Sequence, residues 1–160
     1  MGRRLVTVAL VVAALAATMV GIAMAQGTRG TVGRSGKTIH LVSGVGPGHD
    51  EFFDFNHDGL GFGDRLVAVG SLLDESQTRR VGTLYLDCVI VSRVQVGGTY
   101  DCTYVLKLEG GDIMTHGIDP QGTSDVFFAV TGGTGAYRGA SGQAHYIDTD
   151  VTDIIIELDD

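Results

Sequence analysis

The stretch from Phe127 to Gln143, FFAVTGGTGAYRGASGQ, constrains the fold of this chain more than any other. An apolar run leading into Thr131-Gly132-Gly133-Thr134-Gly135 resembles the strand and glycine turn of a dinucleotide-binding unit. Such a unit needs a helix next, with its N-terminus on the pyrophosphate, and an acid about 20 residues on. Only 25 residues follow Gly135, and they hold Gly139, Gly142, His145-Tyr146-Ile147 and Ile154-Ile155-Ile156. That composition is strand-like and leaves no room for a crossover helix. The glycines therefore read as a tight corner between antiparallel strands, where close backbone approach and positive φ favour Gly.

The rest of the chain repeats the pattern of short strands and turns. Strand signals cover 37–43, 64–73, 81–93, 99–109, 112–118, 124–131, 141–149 and 151–158, with no amphipathic helix between them. Eight short strands in one small domain predict an all-β fold, either a closed antiparallel barrel or a sandwich. Closure removes exposed edges and leaves an interior filled by side chains or wide enough for one small ligand.

The N-terminus reads as a processing signal. Arg3-Arg4 forms a basic start, Leu5 to Ala23 an apolar run, and Ala23-Met24-Ala25 a small-residue cleavage site. Residues 1–25 are thus expected to be a signal peptide and 26–160 the folded domain, secreted or otherwise extracytoplasmic, with no stable membrane span after cleavage. Removing Arg3 and Arg4 leaves nine basic residues against 19 acids, a net charge of −10. Scattered cations and an acidic balance exclude nucleic acid as a partner, because displacing counterions from phosphates needs a basic stripe.

Strand register bears on the two cysteines. Leu84, Leu86, Cys88 and Ile90 share one face of their strand, and Tyr100, Cys102, Tyr104, Leu106 and Leu108 share one face of the next. A hairpin that sets Cys88 opposite Cys102 also pairs Leu86 with Tyr104 and Leu84 with Leu106. A two-residue Gly97-Gly98 turn would instead set Cys88 against Lys107 and bury a charge. The first register allows a Cys88–Cys102 disulfide in an exported chain; the alternative is a pair of free, buried thiols.

Four blocks in order carry a family resemblance: GDRL at 63–66, RRVGTLYLDCVIV at 79–91, CTYVLKLEGGDIMTHG at 102–117, and the opening glycine block. The sequence resembles the allene oxide cyclase and dirigent superfamily. Gly132-Gly133-Thr134-Gly135, Gly139 and Gly142-Gln143 carry the most specific part of the likeness. The resemblance implies a single eight-stranded antiparallel β-barrel with an apolar cavity. Its members cyclise or isomerise reactive apolar substrates, or steer the coupling of radicals, and they often assemble, so a homo-oligomer is one expected state. Two departures stand out. The cyclase pattern's first-strand acid is absent, leaving His40 and Ser43, and Ala140-Ser141-Gly142 replaces an Ala-Arg-Gly triplet.

Candidate chemistry follows from the inward faces. Leu84, Leu86, Ile90, Tyr104 and Leu106, with Arg138 at the corner, are the expected ligand-binding residues. Tyr104 can orient an oxygenated ligand through its hydroxyl, and His116, if directed inward, can polarise or protonate it; these two are the candidate catalytic residues. Asp54, Asn56, Asp58 and Asp64 place oxygen ligands as in the start of a calcium loop, although Arg65 stands where the loop's closing acid belongs. No zinc spacing links His40, His49, His57, His116 and His145. The expectation is an exported barrel that guides cyclisation or isomerisation of an apolar, oxygenated small molecule, without a cofactor beyond a possible structural calcium. The alternative is a non-catalytic binding or cell-envelope interaction barrel.

Overall fold

Alternation with period two builds this molecule, because an extended backbone sends successive side chains to opposite faces. A computed structural model of the protein describes residues 36–44, 50–57, 59–92 and 98–160. They belong to one compact unit. Residues 1–25, His49, Arg93 and Asp58 lie outside the described residues.

Nine strands occur among the described residues: β1 (Thr38–Gly44), β2 (Asp50–Phe53), β3 (Arg65–Asp74), β4 (Arg80–Ser92), β5 (Thr99–Leu108), β6 (Gly111–Pro120), β7 (Asp125–Gly133), β8 (Gly142–Asp148) and β9 (Thr152–Leu158). Every pairing is antiparallel. Around the barrel the order is β1, β9, β8, β7, β6, β5, β4, β3, and β3 closes on β1 from Leu41↔Asp74 to Gly44↔Ser71. This is the expected eight-stranded antiparallel barrel. The additional strand is β2, which the sequence did not announce because Asp-Glu-Phe-Phe lacks alternation. It pairs only with the first half of β3, and all four of its residues are exposed.

The β4–β5 register is Cys88↔Cys102, Leu86↔Tyr104 and Leu84↔Leu106. Cys88 and Cys102 form a disulfide with a Cα–Cα distance of 4.1 Å. Inside, Leu72, Leu106, Ile113, Ile154 and Ile156 are all fully buried. Each such aliphatic side chain contributes about 1.5–3 kcal/mol relative to exposure.

The two ends of the barrel differ in chemistry. One end carries the glycine corner, where a single 3₁₀ turn, Gly135–Tyr137, joins β7 to β8. Gly135 has φ 57, and a Cβ there would lie 2.1 Å from the carbonyl oxygen of Gly110. Only glycine lets the corner dock on the β5–β6 turn, where the Ala136 amide donates to that carbonyl at 2.8 Å. The opposite end holds the β6–β7 and β8–β9 connections and the segment between β2 and β3.

Candidate functional site

At the end away from the glycine corner, the interior changes from apolar to polar. β5 contributes Tyr100 and Tyr104, β6 contributes Thr115 and Asp119, and β8 contributes Tyr146, with Asp148 on the same phase but exposed at the strand's end. Register places them together: Tyr100 faces Asp119 and Tyr104 faces Thr115 across β5–β6. Along β6 the inward positions are Ile113, Thr115, Gly117 and Asp119, and along β8 they are Ala144, Tyr146 and Asp148.

The three central rings form a cluster. Tyr104 meets Phe128 edge-on at 5.1 Å and Tyr146 at 4.8 Å, and Phe128 lies 5.0 Å from Tyr146. Gly117 makes space for it, since a Cβ there would fall 2.3 Å from Cδ1 of Phe128. The Tyr146 and Thr115 hydroxyls share a buried hydrogen bond of 2.7 Å. Burial pushes the Tyr104 phenol well above its ordinary range, and Asp119 and Asp148 push it further. Burial raises Tyr146 as well, with a smaller upward push from Tyr104. Both phenols remain protonated and stay hydrogen-bond donors.

Asp119 is half-buried, and its carboxyl is raised by burial first and then by the negative charge of Asp148. Burial also raises Tyr100, with Asp119 adding to the effect. Asp148 accepts a hydrogen bond from the Thr152 hydroxyl at 2.7 Å. Neither Asp119 nor Asp148 has an ion-pair partner among the described residues. A carboxyl raised above its ordinary range by burial, next to phenols held neutral, is the kind of arrangement found where acid–base chemistry is carried out.

Ser43 adds a further polar atom. It lies inward near the end of β1, in register with Thr152, which is in turn in register with Asp148. Its residue is 2% exposed, and its hydroxyl has no hydrogen-bond partner among the described residues. A Cβ on the inward Gly70 would come within 3.0 Å of that oxygen.

The residues singled out from sequence take different places. Tyr104 sits at the centre of the cluster. Ile90 faces Tyr100 across β4–β5 at the same end, while Leu84 and Leu106 face one another toward the glycine end; all three are core residues. Leu86 packs partly buried against the same core. Arg138 is exposed on the glycine corner, at the far end from the acids, and the cation over the Tyr137 ring is Lys37, 5.5 Å from its centroid.

The inward orientation considered for His116 is corrected. His116 pairs with Thr103, and in that register the inward residue of β6 is its neighbour Thr115. His116 lies on the outer wall, with Nε2 3.1 Å from Asp101 and Nδ1 3.2 Å from the Thr103 hydroxyl. On β1, His40 bridges Asp153 at 3.0 Å and Glu75 at 3.3 Å.

Of the calcium-like set, Asp64 is fully buried and accepts from the amides of Phe55 at 3.1 Å and Gly61 at 2.6 Å. Asp54 accepts from the Gly59 amide at 3.0 Å. No group of three metal-ligating His, Cys, Asp or Glu side chains forms among the described residues. The Asp64 carboxylate organises the loop that presents Phe55, Leu60 and Phe62, each more than half exposed, and that loop is fixed to β4 by bonds between Gly63, Asp64 and Ile90.

Asp119, Asp148, Tyr146, Thr115 and Tyr100 were missed as a set in the sequence. The available signal was parity: each falls on the inward phase of its strand, although Asp148, at the end of β8, is exposed.

No protein-family model and no curated protein sequence matches this chain. Solved structures do. The chain is similar to pyocyanin demethylase with a TM-score of 0.68 and 21% identity, over 76% of this chain and 99% of that one. It is similar to a pterocarpan synthase dirigent protein at 0.61 and 16% identity, covering 76% and 82% of the two chains. The exo-specific intermolecular Diels-Alderase AbnU gives 0.60 and 18% identity, covering 78% and 98%.

Proposed function

We propose that this chain, having the barrel fold shared by dirigent proteins and Diels–Alderases, binds one apolar, oxygenated small molecule at the acidic end of its barrel and guides its cyclisation or isomerisation. The observation that carries this reading is the convergence of Tyr104, Tyr146 and Asp119 inside an otherwise apolar barrel.

The division of labour follows from the chemistry of each group. Tyr104 and Tyr146 donate hydrogen bonds to a substrate oxygen and stabilise negative charge that grows there. Asp119 gives or takes a proton, and in an isomerisation the proton removed from the substrate is matched by one returned, so the site ends as it began. For a cyclisation the barrel wall holds the chain of the substrate folded, which lowers the entropic part of the barrier. The exposed Phe55, Leu60 and Phe62 give the same end an apolar rim suited to receiving such a molecule. The disulfide and the N-terminal pattern support action outside the cytoplasm.

The test starts with purified protein, denatured and extracted with organic solvent, and the extract read by mass spectrometry. An apolar oxygenated molecule is expected in wild-type extracts and depleted in those of Tyr104→Phe and Asp119→Asn proteins. Incubating it with native protein should yield an isomer of equal mass. Recovery of the molecule unchanged would favour the non-catalytic binding barrel, and an empty extract would overturn the ligand reading.

A further inference from the structure

The geometry points to a second binding site, a cleft in the barrel wall at the glycine end that takes an apolar molecule carrying a carboxylate. The site is separate from the polar end and from the function proposed for it. It follows from how the barrel closes. β1 pairs with β9 from Thr38 to Ser43, but with β3 only from Leu41 to Gly44. β3 ends at Asp74, opposite Leu41, and the chain then turns into β4 at Arg80. Along Thr38 to His40 the wall therefore has a strand on one side only, and a cleft of about 350 Å³ opens there. Small-molecule sites occupy about 300–1,000 Å³, so this volume admits one compact ligand.

The floor of the cleft is apolar and continuous with the core. Leu41 belongs to the core, and Ile39, Val81, Leu108 and Tyr137 pack partly buried against it. All five line the cleft, so an apolar body laid on them removes apolar area from water.

Charge at the rim selects the polar group. Arg79 and Arg80, both exposed, line the cleft, and Lys37 lies with Nζ 5.5 Å from the centroid of the lining Tyr137 ring. Arg80 is held in place by its own strand, since Nε donates to the Gly82 carbonyl at 3.1 Å and Nη2 to the Thr83 hydroxyl at 2.9 Å. It pairs with no carboxylate among the described residues. The acids of the lining are Asp74 and Glu109. One Asp74 oxygen accepts from the Ser76 hydroxyl at 2.9 Å and the Thr78 and Arg79 amides at 3.0 and 3.3 Å, and the other lies 3.7 Å from Nε of Arg79. Its charge is thus held within the β3–β4 turn. Glu109 is exposed on the β5–β6 turn. His40, also in the lining, holds the Glu75 and Asp153 carboxylates at 3.3 and 3.0 Å. A ligand carboxylate meets a guanidinium already positioned beside an apolar floor, and charge-assisted bonds of this kind are the strong ones.

Biphenyl-4-carboxylate and biphenyl-4-carboxamide are alike in shape and differ by one negative charge. Isothermal titration calorimetry reads their affinities, and the methyl resonances of Ile39, Leu41, Val81 and Leu108 read the position, with Ile90 as the reference at the polar end. The carboxylate is expected to bind at least fivefold more tightly than the amide and to shift the cleft methyls while Ile90 stays still. Arg80→Gln should reduce that preference at least threefold with circular dichroism and amide affinity kept, and Arg79→Gln with Arg80→Gln should abolish it. Arg65→Gln, the same loss of charge at the other end of β3, should leave it unchanged. Equal affinity for the two probes, a preference that survives the double substitution, or binding of neither probe would each overturn the inference without touching the polar-end reading. Binding that shifts Ile90 and leaves the cleft methyls in place would also overturn it, and would support the polar-end site instead.

Discussion

Replacing Gly117 by alanine forces a collision at the heart of the candidate site. The new Cβ would stand 2.3, 2.7 and 3.0 Å from Cδ1, Cγ and Cε1 of Phe128. Ordinary carbon contacts lie at about 3.5–4.0 Å, so the ring must retreat by more than about 1 Å. It has nowhere to go, because Phe128 is 1% exposed and is held by Tyr104 at 5.1 Å and Tyr146 at 5.0 Å. Overpacking of this kind costs about 1–3 kcal/mol, and two buried rings behind the clash argue for the upper end. Against it stands about 0.4–1 kcal/mol gained because alanine restricts the unfolded chain. The net expectation is a loss of about 2 kcal/mol, which for a domain of this size lowers Tm by about 8 °C. Urea and thermal melts followed by circular dichroism measure it. A second variant tests the cause: Phe128→Leu alone should cost less than about 1.5 kcal/mol, and combined with Gly117→Ala it should restore stability relative to the sum of the two. A Gly117→Ala protein within about 0.5 kcal/mol of wild type, or strictly additive costs, would refute the packing argument.

Three further outcomes are expected. Cys88→Ala with Cys102→Ala should cost about 3 kcal/mol, given the 14-residue separation, and a reducing agent should lower the wild-type Tm while leaving the double variant unchanged. Because Asp119 has a folded-state pKa raised above its unfolded value, its contribution favours folding at low pH and is lost as pH rises from about 4 through the folded value; Asp119→Asn should therefore raise Tm at pH 7 and show no gain at pH 3. Asp64→Ala strips the Phe55 and Gly61 amides of their acceptor and should cost about 2–4 kcal/mol, with Asp64→Asn milder, whereas adding calcium or chelator should leave the wild-type melting midpoint in place.

The architecture was legible because its determinants are local or nearly so. Alternating apolar positions set the faces of β4 and β5, and the cost of burying Lys107 set their register, so the pairing of Cys88 with Cys102 followed from the same pattern. The glycine corner declared itself through residues that must lie against another backbone. β2 escaped because four exposed residues on a sheet edge need no hydrophobic phase.

The site was legible only in part. Tyr104 was visible as an inward aromatic, but Asp119 was hidden because its strand was expected to end at Ile118, one residue before it, whereas β6 runs to Pro120. His116 shows the opposite case: a residue with suggestive chemistry on β6 that the register sends outward, where it meets Asp101.

By itself the sequence determined an all-β fold and the β4–β5 register that permits the disulfide, because alternation and steric exclusion act along a strand or between neighbours, while the closed barrel came from the family resemblance and was borne out by the structure. Tertiary structure alone decided which end of the barrel is polar, because Tyr104, Asp119, Tyr146 and Asp148 come from three strands spread over 45 residues. The raised carboxyl of Asp119 likewise arises from burial and from a charge brought near by closure of the barrel, neither of which a linear pattern contains.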